Sequence, residues 1–189
     1  MTALQSRAVQ NVTPNTATSN AQPAQHARTN ATQHVLAGLR IALGWIFLWA
    51  FLDKMFGWGF ATPAKNAWID GGSPTLGFLK NGAEGPFTGF YHAIAGATWT
   101  NWAFMLSLLA IGIALITGAG IRLAAIGGGL LLAMMWTVVL PPANNPFMDD
   151  HLIYIGVLAV LALTNAGDTL GLGRIWGNTS LVHRFPILK

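Results

Sequence analysis

The sequence predicts an all-α membrane protein: four antiparallel transmembrane helices in a bundle, with a long outer loop between helices 1 and 2. Three observations predict it. Hydrophobic residues make up 53% of the 189-residue chain and charged residues only 8%, whereas soluble domains carry about 25% charged residues. Four apolar runs follow one another, and glycines or prolines punctuate them. The ten Lys and Arg residues are scattered, so the +4 charge reads as topology signals rather than a nucleic-acid surface.

The first 33 residues, rich in Thr, Asn, Gln and Ala, have no apolar core and read as a disordered cytoplasmic tail without a secretory signal. The sequons at Asn11, Asn30 and Asn178 then lie on the inner side. The first apolar run, VLAGLRIALGWIFLWAFLDKMFGWGF, gives a span over about 35–58. Its uninterrupted part, Ile41 to Leu52, covers about 18 Å as helix, so Arg40, Asp53 and Lys54 fall near the two rims of a hydrocarbon layer about 30 Å thick. Ionisable groups there mark either a working site or interfacial anchoring. Asp53 is too short to snorkel and calls for a partner or a wet cavity.

The second run gives a span over 99–117, and Gly118, Ala119 and Gly120 make a tight turn. The third, 121–140, is stopped by Pro141 and Pro142. The fourth, about 151–167, is short for a bilayer and reads either as a span aided by local thinning or as a buried re-entrant helix. Glycines at 112, 118, 120 and 127–129 are expected to bring the second and third helices close together. Residues 177–189 read as a cytoplasmic tail.

With both termini inside, the inner side holds six Lys or Arg residues near the spans and the outer side three, Lys54, Lys65 and Lys80. The excess belongs on the cytoplasmic side. Trp58, Trp68, Trp99 and Trp102 then form an outer aromatic belt.

The outer loop, Gly59 to Thr98, carries eight glycines and three prolines among its aromatics. The aromatic content predicts an ordered cap, with a short helix over Ala67 to Leu79, serving either as a structural lid or as a ligand clamp. In PPANNPFMDDHLIY, Asn145 or Asp149 caps the fourth helix, and Asp149 and Asp150 sit at its positive end.

His151 enters the membrane on the same side as Asp53, Lys54, Lys65 and His92. Such a cluster beside lipid suits a quinone headgroup, whose carbonyls need donors and whose reduction needs protons, or a small anion. The catalytic candidates are Lys54, Asp53 and His151; the substrate-binding candidates are Lys65, His92, Asp150, Trp58 and Trp136. Lys54, Lys65 and His92 would draw an anion, Asp53 and His151 would relay protons, and Trp58 or Trp136 would wall the ring. The simpler alternative makes Lys54 and Trp58 anchors and pairs Asp53 with Lys65 or another cation.

The absence of cysteine excludes disulfides, thiolate metal sites and persulfide chemistry. Haem is not expected, because His34 and His151 fall on opposite faces. Asp53, Asp149, Asp150, His92 and His151 lack metal-motif spacing, so no metal is expected. No nucleotide-binding or hydrolase motif is present.

LRIALGWIFLWAFLDKMFG in the first helix, ITGAGIRLAA at the second turn and NAGDTLGLGRIW after the fourth helix together resemble the DoxX/DoxD membrane proteins. That family includes the membrane subunit of thiosulfate:quinone oxidoreductase. The resemblance covers Val35 to Trp176 and implies a multi-pass protein of the cell membrane with four helices. For the DoxD branch it implies oxidation of thiosulfate to tetrathionate, electron transfer to membrane quinone and a second, DoxA-like subunit. It carries over no catalytic residue. A homodimer fits a bundle of so few helices. The alternative function is a non-catalytic anchor for soluble redox or sulfur-transfer proteins; a transporter lacks the inverted pair of broken helices.

Overall fold

The computed structural model describes the backbone from Ala21 and side chains from Thr29 through to Lys189. Two compact units divide the chain, residues 1–32 and 33–189. The first twenty residues, where a disordered tail is expected, lie outside the described ones; from Ala21 the chain is helical. Every regular element among the described residues is a helix.

Three helices are long and apolar enough to cross a membrane. They are α1 (Ala21–Phe56), apolar from Thr29 onward, α4 (Thr98–Thr117) and α5 (Ile121–Val138). Between α1 and α4 lie α2 (Leu76–Asn81) and α3 (Thr88–Ile94). After α5 come the apolar α6 (Asp150–Leu163) and the short α7 (Gly173–Gly177) and α8 (Ser180–Arg184). At 14 residues, α6 is about 21 Å long. It ends four residues earlier than expected, where Asn165 takes a left-handed φ of 48°.

One apolar cluster joins four helices: Phe47 from α1, Met105 and Leu115 from α4, Leu132 from α5, and Leu158 and Leu161 from α6. The outward faces are apolar as well, with Leu106, Ile126 and Leu163 all exposed. A helix apolar on both sides is built for lipid or a large core, and the cluster occupies only one side.

The close approaches differ from the expected ones. Gly112 faces α1 rather than α5: a Cβ there would stand 2.9 Å from Leu48 N, and one at Gly44 would stand 2.8 Å from Leu115 Cβ. The small-residue contact therefore seals α1 to α4. Gly128 approaches Leu158 of α6, while Gly127 and Gly129 have nothing within 4 Å. The α4–α5 turn is as expected, with Gly118 and Gly120 at φ of 80° and 72°.

Arg40 is wholly buried in α1. Its Nη1 donates to Leu115 O and to Ile116 O (2.9 Å), and its Nη2 donates to Leu170 O (2.9 Å) and Thr169 O (3.3 Å). Leu115 and Ile116 lie in the last turn of α4, whose carbonyls have no partner within the helix. One guanidinium thus satisfies two broken pieces of backbone and takes the negative end of a helix as its countercharge. Arg40 is a clamp, not an interfacial anchor.

The final residues also fold back. Trp176 Nε1 donates to Leu188 O (2.6 Å), Lys189 Nζ to Asp168 Oδ2 (3.0 Å), and Arg122 Nη1 to Pro186 O (2.9 Å). Residues 177–189 are a fastened segment carrying α8 rather than a loose tail.

Arg40→Ala strands four carbonyls and is expected to cost about 3 kcal/mol of stability, read as the unfolding midpoint of the detergent-solubilised protein. Arg40→Lys recovers only part of the loss, because one ammonium cannot bridge both segments as a planar guanidinium does. Full recovery by lysine would contradict the clamp.

Candidate functional site

At the opposite end of α1 the backbone breaks again. Gly57 (φ 64°) turns the chain, and a Cβ there would stand 2.7 Å from Ala64 Cα. Glycine is required at such a position. The freed amides beyond the turn are taken by Asp53, which is 1% exposed. Its Oδ1 accepts from Phe60 N (3.2 Å) and its Oδ2 from Ala61 N (3.0 Å). Asp53 therefore pairs with neither Lys65 nor another cation. Both carboxylate oxygens hold backbone, which is the work of a turn fastener and not of a proton relay.

From that turn the loop runs back over the ends of α4 and α5. Asn101, buried in the second turn of α4, is its anchor. Asn101 Oδ1 accepts from Thr75 Oγ1 (2.6 Å), Ser73 Oγ (3.1 Å) and Thr75 N (3.2 Å), and its Nδ2 donates to Gly96 O (3.4 Å). Farther on, Glu84 N donates to Val138 O (3.1 Å), and Tyr91 OH reaches Met134 O (3.2 Å) and Thr137 Oγ1 (2.5 Å). Leu79, Ala83, Tyr91 and Val138 form a second apolar cluster beneath. The expected ordered cap is present, but its helix, α2, begins at Leu76; Trp68–Asp70 is a separate 3₁₀ turn.

Under the cap lies a cavity of about 440 Å³. Leu79, Ile94, Phe104, Leu131 and Met135 give it apolar walls, and Gly127 opens one side. Its polar lining includes Lys54, Thr75, Tyr91, Thr100 and Ser107. Thr75 and Tyr91 are already engaged with Asn101 and α5. Thr100 is 9% exposed and its Oγ1 has no hydrogen-bond partner. The usual acceptor four residues back, Gly96 O, takes Asn101 Nδ2 instead. The half-buried Lys54 makes no hydrogen bond or ion pair among the described residues. The Ser107 hydroxyl likewise makes no hydrogen bond among the described residues, and an apolar chamber with three unspent donors suits a lipid-soluble molecule bearing a hydrogen-bond acceptor.

Of the eight sequence-predicted site residues, only Lys54 lines this cavity. Lys65 and His92 are exposed on the loop. Trp58 stacks on Phe56 (centroids 5.6 Å) and packs against Trp49 (5.4 Å) beside the outer face of α1. Trp136 Nε1 donates to Phe147 O (2.9 Å), tying α5 to the segment before α6.

His151 Nδ1 lies 2.6 Å from Asp149 Oδ2 and 3.6 Å from the exposed Asp150. Asp149 is also the N-cap of α6, accepting from Leu152 N (3.3 Å), and Asn145 instead caps the preceding turn through Phe147 N and Met148 N. The ligand atoms of Asp149, Asp150 and His151 lie within 4.8 Å of one another, an arrangement that helix capping accounts for. Nδ1 is held by Asp149, and the His151 side chain is mostly buried. The single cluster expected from sequence thus separates into a fastener at Asp53, a cavity lysine, and a capped histidine at the head of α6.

Thr100 and Asn101 went unread in the sequence. The signal was there, as TWTN opens an apolar helix with polar residues in its first two turns. Comparison with protein-family models, curated proteins and solved structures finds no match.

Two substitutions separate fastening from chemistry. Asp53→Ala is expected to speed amide exchange at Phe60 and Ala61 by about tenfold, the scale of one hydrogen bond, while Lys54→Ala leaves those amides protected. Asn101→Leu is expected to speed exchange across Ser73 to Asn81 by a similar factor. Unchanged protection there would remove Asn101 as the anchor of the cap.

Proposed function

We propose that the chain is a DoxX/DoxD-like membrane subunit of a redox system, in which thiosulfate oxidation is coupled to quinone reduction at the outer face of the membrane. The observation that carries the reading is the capped cavity with the Lys54 ammonium in its apolar wall. A quinone has the matching form: a flat ring and an apolar tail, with carbonyl oxygens that accept hydrogen bonds. The sequence resemblance supplies the donor and the coupling.

In this reading α6 crosses a locally thinned bilayer as a fourth span. Both termini are cytoplasmic, and the cap faces outward with Lys65, Lys80 and His92. Two thiosulfate dianions join through a new S–S bond to give tetrathionate and release two electrons. Quinone takes up those electrons with two protons and becomes quinol. The exposed loop cations raise the local concentration of the dianion. His151, oriented by Asp149, passes protons from the aqueous side. Lys54 offsets the charge that builds on the quinone oxygen during reduction. A DoxA-like subunit shares the thiosulfate half-reaction.

Membranes containing this chain together with a DoxA-like subunit are expected to reduce a short-tailed benzoquinone in a thiosulfate-dependent manner. Lys54→Ala lowers the rate about a hundredfold, the scale of losing one electrostatic donor, and His151→Ala lowers it less. Absence of activity with the folded protein present would replace this reading with that of a non-catalytic anchor.

A further inference from the structure

The buried polar side chains of the packed body make several hydrogen bonds each, although Arg40 Nε and Asp168 Oδ1, both away from the cavity, have no partner among the described residues. Arg40 meets four carbonyls, Asp53 meets two amides, and Asn101 meets three donors. Four unspent donors line or border a single cavity, one of them the half-buried Ser107 hydroxyl one helical turn or more along α4. Thr100 Oγ1 is buried and unpartnered. The Lys54 ammonium is held by no hydrogen bond or ion pair among the described residues. The N-terminus of α4 is uncapped, since Ala97 at its N-cap position has no side-chain acceptor, whereas Asp149 caps α6. A helix start left uncapped presents free N–H groups and positive potential.

We infer that Thr100, Lys54 and the N-terminus of α4 form the grip on one carbonyl oxygen of an oxidised quinone, whose ring enters from the lipid past Gly127. The inference deepens the proposed function by naming the positioning residue and the door. Lys54 can only donate, and the helix terminus can only donate. A group with lone pairs and no hydrogen of its own therefore fits better than a hydroxyl. The site accordingly prefers the quinone to its quinol, so the product leaves once it is formed. Gly127 supplies the opening because nothing lies within 4 Å of where its Cβ would stand. Gly129 is equally open but does not line the cavity, which makes it a matched control.

The test uses the full chain in lipid nanodiscs and measures equilibrium binding of decylubiquinone, its quinol and palmitate. The oxidised form is expected to bind, and the quinol about tenfold more weakly. Thr100→Val keeps the shape, removes the donor and weakens oxidised-quinone binding about tenfold, the scale of one hydrogen bond to a buried group. Gly127→Leu abolishes binding, and Gly129→Leu does not change it. Thr100→Val carries the test by itself if Gly127→Leu does not fold. Unaltered binding in Thr100→Val, equal binding of quinol and quinone, or full displacement of the quinone by equimolar palmitate would each overturn the inference.

The inference and the proposed function fail separately. Thiosulfate-dependent reduction that survives in Gly127→Leu places the quinone elsewhere while leaving the redox reading intact. Quinone binding weakened about tenfold in Thr100→Val and lost in Gly127→Leu, without thiosulfate activity in any subunit combination, upholds the grip and removes the redox reading.

Discussion

Hydrocarbon offers a broken backbone no hydrogen bonds, and two buried charged side chains of α1, Arg40 and Asp53, answer that constraint with opposite chemistry. Where α4 ends and the chain returns after α6, the exposed groups are carbonyls, and the buried side chain is a guanidinium, Arg40. Where α1 itself ends, the exposed groups are amides, and the buried side chain is a carboxylate, Asp53. Neither charge needs a counter-ion, because each is met by several backbone dipoles of the right sign. The α1–α4 seam, held close by Gly44 and Gly112, is pinned at one end by Arg40, while Asp53 fastens the turn that leaves α1.

The same constraint gives meaning to what is left unmet. Asp53 and Lys54 are neighbours in sequence, yet about 100° of helical rotation sends them to different places. Asp53 turns into the Gly57 corner and is used up. Lys54 turns toward α4 and the cap, where apolar side chains surround it and no acceptor comes near. Thr100 repeats the pattern across the cavity, because Asn101 takes the carbonyl that Thr100 would otherwise use. Among the described residues Arg40 Nε and Asp168 Oδ1 are also buried without a partner, but of the three such groups only Thr100 lines the cavity, and in the proposed reading a carbonyl-bearing ligand meets it together with Lys54.

Much of this was legible in the sequence. The apolar runs gave α4 and α5 within two residues, because length and composition decide them, but α1 begins at Ala21, fourteen residues before its apolar run, in a stretch whose polar composition read as a tail. The glycine turn between α4 and α5 and the Asp149 cap followed from local chemistry. The cap over the loop end followed from its aromatics. The grouping of polar residues did not, because sharing a membrane face fixes only depth and leaves rotation about each helix open. His151, Lys54 and Asp53 share a level in that sense but point in different directions. The glycine contacts were only partly foreseen for the same reason: Gly128 does meet Ile111 of α4, but its closest approach is to Leu158 of α6, and Gly112 packs on α1. Arg40 was left open between a working site and an interfacial anchor, because its acceptors, 75 to 130 residues away, exist only in the folded chain.

The most direct test of the account is to label the protein in native membranes with a photoactivatable azidoquinone and map the modified residues. The account predicts labelling confined to the cavity walls, namely Lys54, the cap from Pro74 to Ile94, α4 between Trp99 and Ser107, and α5 between Gly127 and Val138, and competed away by unlabelled quinone. Label spread evenly over lipid-facing side chains, or concentrated on the Trp45, Trp49 and Trp58 face of α1, would contradict it.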